Sequence, residues 1–161
     1  MKITFASVAA VLALMTIAAC GVDVPAGLAD KINSGCPGLV RPDPLAVITQ
    51  GFEVSWVESE AGQSCKVWIR DGRDVLLVSL IAYPSKEEAE RLTPMLCPRG
   101  VLDGSDKSCI ASSADSRRFA VHGLAGRWEV RIAVKEIPVN VEAKDAVYQI
   151  LKDLRSSDKT K

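Results

Sequence analysis

The sequence lacks most of the residues on which common catalytic and metal sites depend. It contains a single histidine, His122, no pair of cysteines spaced Cys-x-x-Cys and no Gly-x-Ser-x-Gly nucleophile motif. These absences disfavour Ser-His-Asp hydrolases, zinc ribbons and thioredoxin-like redox sites. The alternating ligands of an EF-hand are also missing, so we interpret Asp103 and Asp106 as residues of a solvated turn. We expect no metal and no cofactor.

The chain also has no excess of charge of one sign. It carries 20 Lys and Arg against 20 Asp and Glu over 161 residues, with 48% hydrophobic residues. Nucleic-acid-binding surfaces and polybasic membrane-binding segments both need a strongly basic face, so we expect no nucleic-acid partner. The hydrophobic content excludes a mostly disordered chain.

The first 19 residues differ from the rest in being almost entirely apolar. Lys2 is their only charged residue, and residues 3–19 are uncharged. A basic start followed by an apolar stretch and small residues predicts a secretory signal peptide over residues 1–19. The alternative is a single transmembrane anchor, but 17 residues lie at the short limit of about 17–25 for a span. No basic residue follows before Lys31.

The end of this segment, Ile17-Ala18-Ala19-Cys20-Gly21, resembles the lipobox of bacterial lipoproteins. The resemblance implies cleavage before Cys20 and attachment of diacylglycerol to its thiol, which would anchor the chain to a membrane. The alternative is an ordinary cleaved signal with a cysteine nearby by chance. In double-membraned bacteria, an aspartate directly after the lipobox cysteine resembles an inner-membrane retention signal. This chain has Gly21 at that position, which favours the outer membrane. We expect a protein anchored at the cell membrane or outer membrane, facing outside the cytoplasm.

Four cysteines remain after cleavage: Cys36, Cys65, Cys97 and Cys109. An even number in an exported domain predicts two disulfides, for which three connectivities exist. We favour Cys36–Cys65 and Cys97–Cys109. Cys36 precedes the first predicted helix and Cys65 follows in the next hairpin, whereas the other two bracket one loop.

Three segments have helical patterns. In the first, Asp43 suits the N-cap and Gly51 the position after the helix. In the second, Ser85 and Glu88 form a capping box, and Pro94 should end the helix. The third covers residues 141–154, with an apolar stripe made by Val147, Ile150, Leu151 and Leu154.

The strand patterns lie between these helices. Apolar residues alternate with polar ones over residues 52–56, 65–69 and 128–134, and 118–122 begins another strand before a turn at 123–126. Residues 75–82 are apolar on both faces, which predicts a strand covered on both sides. We therefore predict an α+β fold: an antiparallel sheet with helices packed on one face and two disulfides. The two halves, each with strands followed by a helix, suggest a duplication.

This layout predicts the domain organisation. A lipidated N-terminus and flexible tether (20–35) precede a single α+β domain (36–156) and a polar tail (157–161). The order of parts over residues 36–154 resembles the small two-disulfide lipoproteins of mycobacteria and their relatives, most of which have no known activity. Those proteins commonly place Trp two residues after the strand cysteine. Trp68 comes three residues after Cys65, which turns it to the opposite face.

Trp68, flanked by Lys66 and Arg70, is the candidate binding surface, because Trp and Arg are enriched where interfaces carry most of their energy. The alternative is that helices cover both faces of this strand. We interpret Arg127, Arg131 and Lys135, with Glu129 among them, as a mixed solvated face, with contact to anionic lipid or envelope polymer as the minority reading. His122 beside Gly123 is interpreted as a turn residue and not a catalytic one.

The function that these observations favour is a non-enzymatic binding or interaction module of the cell envelope. Its partners would be the membrane, through the lipid on Cys20, and an envelope protein, lipid or glycan. Two alternatives remain open. One is a structural or envelope-maintenance role. The other is a hydrolase acting on envelope glycan, because two acidic residues distant in sequence can meet in a fold.

Overall fold

The computed structural model describes residues 24–59, 63–96, 108–110 and 118–156, apart from the side chains at positions 94 and 96. It contains a six-stranded antiparallel sheet in the order β1-β2-β3-β6-β5-β4. The strands are β1 (Val54–Glu58), β2 (Ser64–Ile69), β3 (Asp74–Ala82), β4 (Cys109–Ile110), β5 (Arg118–Ala125) and β6 (Trp128–Lys135). The helices are α1 (Ala26–Asn33), α2 (Cys36–Leu39), α3 (Pro42–Ile48), α4 (Lys86–Leu92) and α5 (Val141–Ser156).

The two halves of the chain have matching layouts, as the sequence predicted. Strands β1 to β3 are followed by α4, and β4 to β6 are followed by α5. The halves meet at the centre of the sheet, where β3 pairs with β6 from Leu76–Val134 to Ala82–Trp128. The α+β class and the antiparallel sheet are confirmed. A duplication as the origin of this layout stays a prediction.

Helices α1, α2, α3 and α5 cover one face of the sheet, which we call the helix-covered face. On it lie Cys65, Val78, Ile132 and Val121, one from each of four neighbouring strands. A disulfide joins α2 to β2, and α5 contacts α1, α3, β5 and β6. The apolar stripe of α5 is buried against this face, which confirms the prediction for this helix.

Gly123 corrects one prediction about the second half. It lies within β5 and not in a turn, and the reversal to β6 takes only residues 126 and 127. A Cβ atom at Gly123 would lie 3.0 Å from Leu151 and 2.8 Å from Arg155, both on α5. The missing side chain at Gly123 therefore leaves room for the Leu151 and Arg155 side chains of α5.

The N-terminal segment differs from the flexible tether that we predicted. Residues 26–33 form α1, and Leu28 is fully buried in the core. A short helix, α2, which the sequence pattern did not predict, follows at Cys36–Leu39. Helix α3 begins at Pro42, so Asp43 lies in its first turn and does not cap it. Burial of a few apolar side chains outweighs the turn-forming tendency of Pro and Gly here.

The second face of the sheet is less covered than predicted. Along β3, the residues that point away from the helix-covered face are only half-buried, namely Leu77, Ser79 and Ile81. The N-cap role of Ser85 is confirmed, since its Oγ accepts a hydrogen bond from the Glu88 amide at 3.1 Å, whereas the Glu88 carboxylate pairs with Arg91. Helix α4 ends at Leu92, two residues before Pro94, as expected. A 3-10 turn, Thr93–Leu96, follows it. Within the described ranges, no helix is long and apolar enough to cross a membrane.

One of the two predicted disulfides is confirmed. Cys36 and Cys65 are bonded with an S–S distance of 2.05 Å and Cα atoms 5.2 Å apart. Cys109 is buried. Its predicted partner, Cys97, lies outside the described residues, as do Asp103 and Asp106, so this second pairing stays a prediction.

Candidate functional site

An apolar groove lies between the α2–α3 segment and the edge strand β1. Its volume is about 400 Å³, and we call it the β1 groove. Apolar side chains make up most of its wall, among them Pro37, Pro42, Leu45, Phe52, Val54 and Trp56. Ligand sites in proteins are concave and mostly apolar in this way.

The rim of the β1 groove is exposed to solvent. Phe52 is 53% and Trp56 37% exposed, and Val57 on the other face of the same strand is 57% exposed. Single exposed apolar residues are ordinary on protein surfaces, but a contiguous group of aromatic and aliphatic side chains marks an interaction site. The exposed aromatics belong to the groove, so the apolar surface is contiguous.

The local sequence explains why the groove is open. Helix α3 ends at Ile48, and Gln50 and Gly51 follow with φ values of 55° and 75°. This left-handed pair reverses the chain and leads directly into β1, and Phe52 stays outside the core. The disulfide of Cys36 fixes α2 to the neighbouring strand. The disulfide therefore holds α2 against the sheet, and the turn at Gln50 and Gly51 sets the position of α3 relative to β1.

Polar groups close the two ends of β1. At one end, the Glu58 carboxylate accepts a hydrogen bond from the Cys36 amide at 3.2 Å, and Gly35 leaves the space that this carboxylate occupies. At the other end, Glu53 and Arg70 form an exposed ion pair at 3.6 Å. The apolar part of the strand between them is Val54 to Val57, interrupted only by Ser55.

The opposite face of the sheet carries a second region, which we call the buried-charge cluster: Tyr83, His122, Glu129 and Arg131. Glu129 is fully buried. Its carboxylate accepts hydrogen bonds from the Tyr83 hydroxyl at 2.6 Å and from the Arg131 guanidinium at 2.7 and 3.0 Å. His122 Nδ1 lies 2.6 Å from the same carboxylate.

The hydrogen bonds of this cluster decide the charge of Glu129. Burial acts to raise the pKa of this carboxyl, but the hydrogen bonds from His122, Arg131 and Tyr83 outweigh it and hold the pKa at about 2. Burial and the neighbouring carboxylate raise the pKa of Tyr83 above its usual value. At neutral pH the cluster therefore contains an ionised carboxylate and a protonated tyrosine.

Two predictions are wrong in this region. Glu129 is not part of a solvated face, since its hydrogen-bond partners allow a charged group to be fully buried. His122 is not a turn residue, because it lies within β5 with its side chain 12% exposed. Arg127 does lie in a turn, donating to the Pro84 carbonyl at 2.9 Å, and Lys135 pairs with Asp74 at 2.7 Å.

The predicted Trp68 surface is brought together only in part. Trp68 lies on the face opposite Cys65, as expected, and is half-buried. The Lys66 ammonium lies 5.2 Å from the centroid of its ring and 3.4 Å from Asp74. Arg70 stands apart, since it lies in the turn after β2 beside Glu53. The indole Nε1 of Trp68 is buried without a hydrogen-bond partner among the described residues.

Comparison with known proteins gives no match. No family model, no curated protein and no solved structure matches this chain. In the part of the chain that the structure describes, no group of three or more His, Cys, Asp or Glu side chains is placed to hold a metal ion. The sequence did not point to the β1 groove, because its walls come from separate segments. The uncharged stretch at residues 54–57 was the one available signal.

Proposed function

We propose that this protein is a lipid-anchored, extracytoplasmic binding module of the cell envelope, and that the β1 groove is its binding site. The observation that carries the proposal is the exposed, contiguous apolar wall formed by Phe52 and Trp56. Removing apolar surface of this kind from water lowers the free energy, so binding of a partner that covers it is favourable. The Cys36–Cys65 disulfide supports an oxidising compartment outside the cytoplasm.

The position of the groove suits an anchored protein. Val24, four residues after Cys20, lies with Pro25 beside the β5–β6 turn at Gly126. Phe52 and Val54 lie near the opposite end of the strands, since Val54 pairs with Ile69 at the end of β2. A lipid on Cys20 would therefore hold the groove on the side of the domain that points away from the membrane.

Lipidation is tested by replacing the modified residue. Cys20→Ser should abolish labelling by a clickable fatty acid and release the protein from the membrane fraction. Cys97→Ser combined with Cys109→Ser is the control, because it removes both cysteines of the predicted second bridge, leaves no free thiol and keeps the lipobox intact. Labelling that survives Cys20→Ser would remove the anchor from the proposal.

Binding is tested by a photo-crosslinking residue at position 52 of the full-length protein in its native envelope. The expected result is a discrete adduct that is absent when the crosslinker is at Lys152, an exposed residue of α5. Trp56→Ala should reduce the yield roughly tenfold, and Val57→Ala, on the opposite face of the strand, should not. The same adducts from positions 52 and 152, or a yield unaffected by Trp56→Ala, would overturn the proposal.

The Trp68 surface remains a second candidate site. Its half-buried ring, stacked under Lys66 with an unpartnered indole nitrogen, is what favours it. Trp68→Ala should weaken capture of the native partner while the melting temperature is kept. A melting temperature that collapses with this change would assign Trp68 to the core and exclude the surface.

A hydrolase acting on envelope glycan is the alternative function, and the contact between His122 and Glu129 is the observation in its favour. A carboxylate that orients a histidine is part of many acid–base sites. The low pKa of Glu129 and its four hydrogen bonds instead favour a structural ion cluster. Release of glycan fragments by the purified protein that disappears with His122→Ala would establish the alternative.

A further inference from the structure

We propose that the β1 groove takes an extended polypeptide segment of a partner protein, which pairs with the edge of β1 that no described strand covers and so extends the sheet. This inference rests on the proposed function and names the class of ligand. The groove supplies the apolar contacts, and the main chain of β1 supplies the hydrogen bonds. Addition of a strand to an exposed sheet edge is a known mode of peptide recognition.

The pairing of β1 with β2 shows which main-chain groups are free. The Ser59 amide donates to the Ser64 carbonyl at 3.1 Å, and the Arg70 amide donates to the Glu53 carbonyl at 3.2 Å. Residues whose main chain faces the partner alternate along an antiparallel strand, so Ser55 and Val57 also face β2. The N–H and C=O groups of the intervening residues, Val54, Trp56 and Glu58, point towards the free edge.

The middle of this edge, residues 54–57, lacks the features that normally protect an edge strand. Exposed edges are usually interrupted by charged side chains, proline or a β-bulge. Residues 54–57 of β1 carry no charge and no proline, and their pairing with β2 is regular. Glu58 ends the strand, but its carboxylate is already bonded to the Cys36 amide. An unprotected edge next to an exposed apolar groove indicates that a strand covers it.

The alternation of side chains predicts the kind of segment. Val54 and Trp56 line the groove, whereas Ser55 and Val57 lie on the opposite face. A strand added to β1 would place every second side chain over the apolar wall that includes Pro37 and Phe52. The ligand is therefore an extended segment of about five residues with apolar side chains at alternate positions. An acyl chain offers nothing to the main-chain groups of β1, which favours a peptide over a lipid.

A second copy of this chain fits less well. Antiparallel self-pairing centred on Trp56 would match all the outward-facing groups, but it turns the partner end for end. Trp56 is level with Leu76, and Ala82 at the anchored end lies six residues further along β3. The anchored ends of two copies would then be about 40 Å apart along the strands. Four residues before Val24 reach about 14 Å each, so both anchors reach one membrane only if the strands of such a dimer lie along its surface.

The test uses the full-length lipidated protein in nanodiscs and a library of blocked nine-residue peptides. Each peptide carries valine, leucine, isoleucine or phenylalanine at alternate positions and threonine between them. The tightest peptide should slow hydrogen exchange at the amides of Val54 and Trp56, measured with residue resolution. The same peptide with its alternate pairing amides N-methylated should lose binding, because those donors are removed.

A protein variant provides the matched comparison. Val54 is the first residue of β1, where proline is tolerated, so Val54→Pro removes one outward N–H without disturbing the ladder with β2. Val54→Ala is the control, because it shortens the same side chain and keeps the N–H. Val54→Pro should bind the peptide about fivefold more weakly than Val54→Ala, as expected for the loss of one hydrogen bond.

The outcomes separate this inference from the proposed function. If no peptide binds, or if the N-methylated peptide binds equally well, strand addition is wrong, and the crosslinking test of the groove is unaffected. If protection of Val54 and Trp56 depends on protein concentration without peptide, the occupant is a second copy and the inference is also wrong. If dodecanoate displaces the peptide without protecting these amides, the groove is a lipid site.

Discussion

The β1 groove and the buried-charge cluster lie on opposite faces of one sheet. The cluster buries a charged group, whereas the groove exposes apolar ones. In the cluster, the Glu129 carboxylate is fully buried and every partner that it needs is supplied by Tyr83, His122 and Arg131. In the groove, Phe52 and Trp56 are exposed and nothing among the described residues covers them. The hydrogen bonds of the buried carboxylate are made within the fold, so it needs no external partner. Exposed apolar surface is stabilised when a binding partner removes it from water.

This comparison assigns the two regions different roles. Removing a partner from the cluster leaves a buried charge unpaired, so its residues should affect stability strongly. Phe52 and Trp56 are 53% and 37% exposed, so their removal should affect stability less than the loss of a cluster residue, and binding strongly. The predictions below test this division, beginning with the largest expected effect.

Replacement of Glu129 should be the most damaging change. Glu129→Ala leaves the half-buried Arg131 guanidinium without its carboxylate and opens a polar cavity, at a cost of about 3–5 kcal/mol in the free energy of unfolding. Glu129→Gln, which keeps the shape and part of the hydrogen bonding, should cost less. Urea denaturation of both variants measures the difference. Losses below about 1 kcal/mol in both would contradict the assignment of this cluster to stability.

Loss of the observed disulfide should come next. Cys36→Ser combined with Cys65→Ser opens a loop of sequence separation 29, and chain entropy makes this worth about 3–4 kcal/mol. It should also loosen α2 and with it one wall of the groove. Urea denaturation with and without a reducing agent checks this, because reduction should destabilise the parent more than the double variant, which keeps only the predicted Cys97–Cys109 bridge. A double variant as stable as the parent would show that the bridge contributes little.

Acid should destabilise the protein through Glu129. The pKa of this carboxyl is lowered in the folded state from 4.5 to about 2, so its contribution is complete above about pH 5 and is lost as the pH falls towards 2. The contribution is on the order of 3 kcal/mol. The free energy of unfolding between pH 5 and 2 should fall less steeply in Glu129→Gln. Parallel pH profiles for the two proteins would show that the carboxyl is not the cause.

The sequence predicted the parts of the fold that depend on local pattern. Alternation located β2 and β6, and helical spacing located α5, because one buried face leaves a regular signature. Helix α1 was missed, since its burial depends on contacts with distant segments. The cluster was missed because strand pairing places His122 opposite Arg131, and a charged residue on a strand normally indicates a solvated face.

The Trp56 and Glu129 variants offer the most direct test of the central claim, when crosslinking from position 52 and stability are measured on the same samples. Trp56→Ala should lose most of the crosslinked adduct while the protein stays folded, because 37% of this residue is exposed and it lies at the rim of the groove. Glu129→Gln should lower stability and leave the adduct intact in the folded protein. The reverse pattern, or a loss of adduct in both variants at equal stability, would contradict the division between a binding groove and a stabilising cluster.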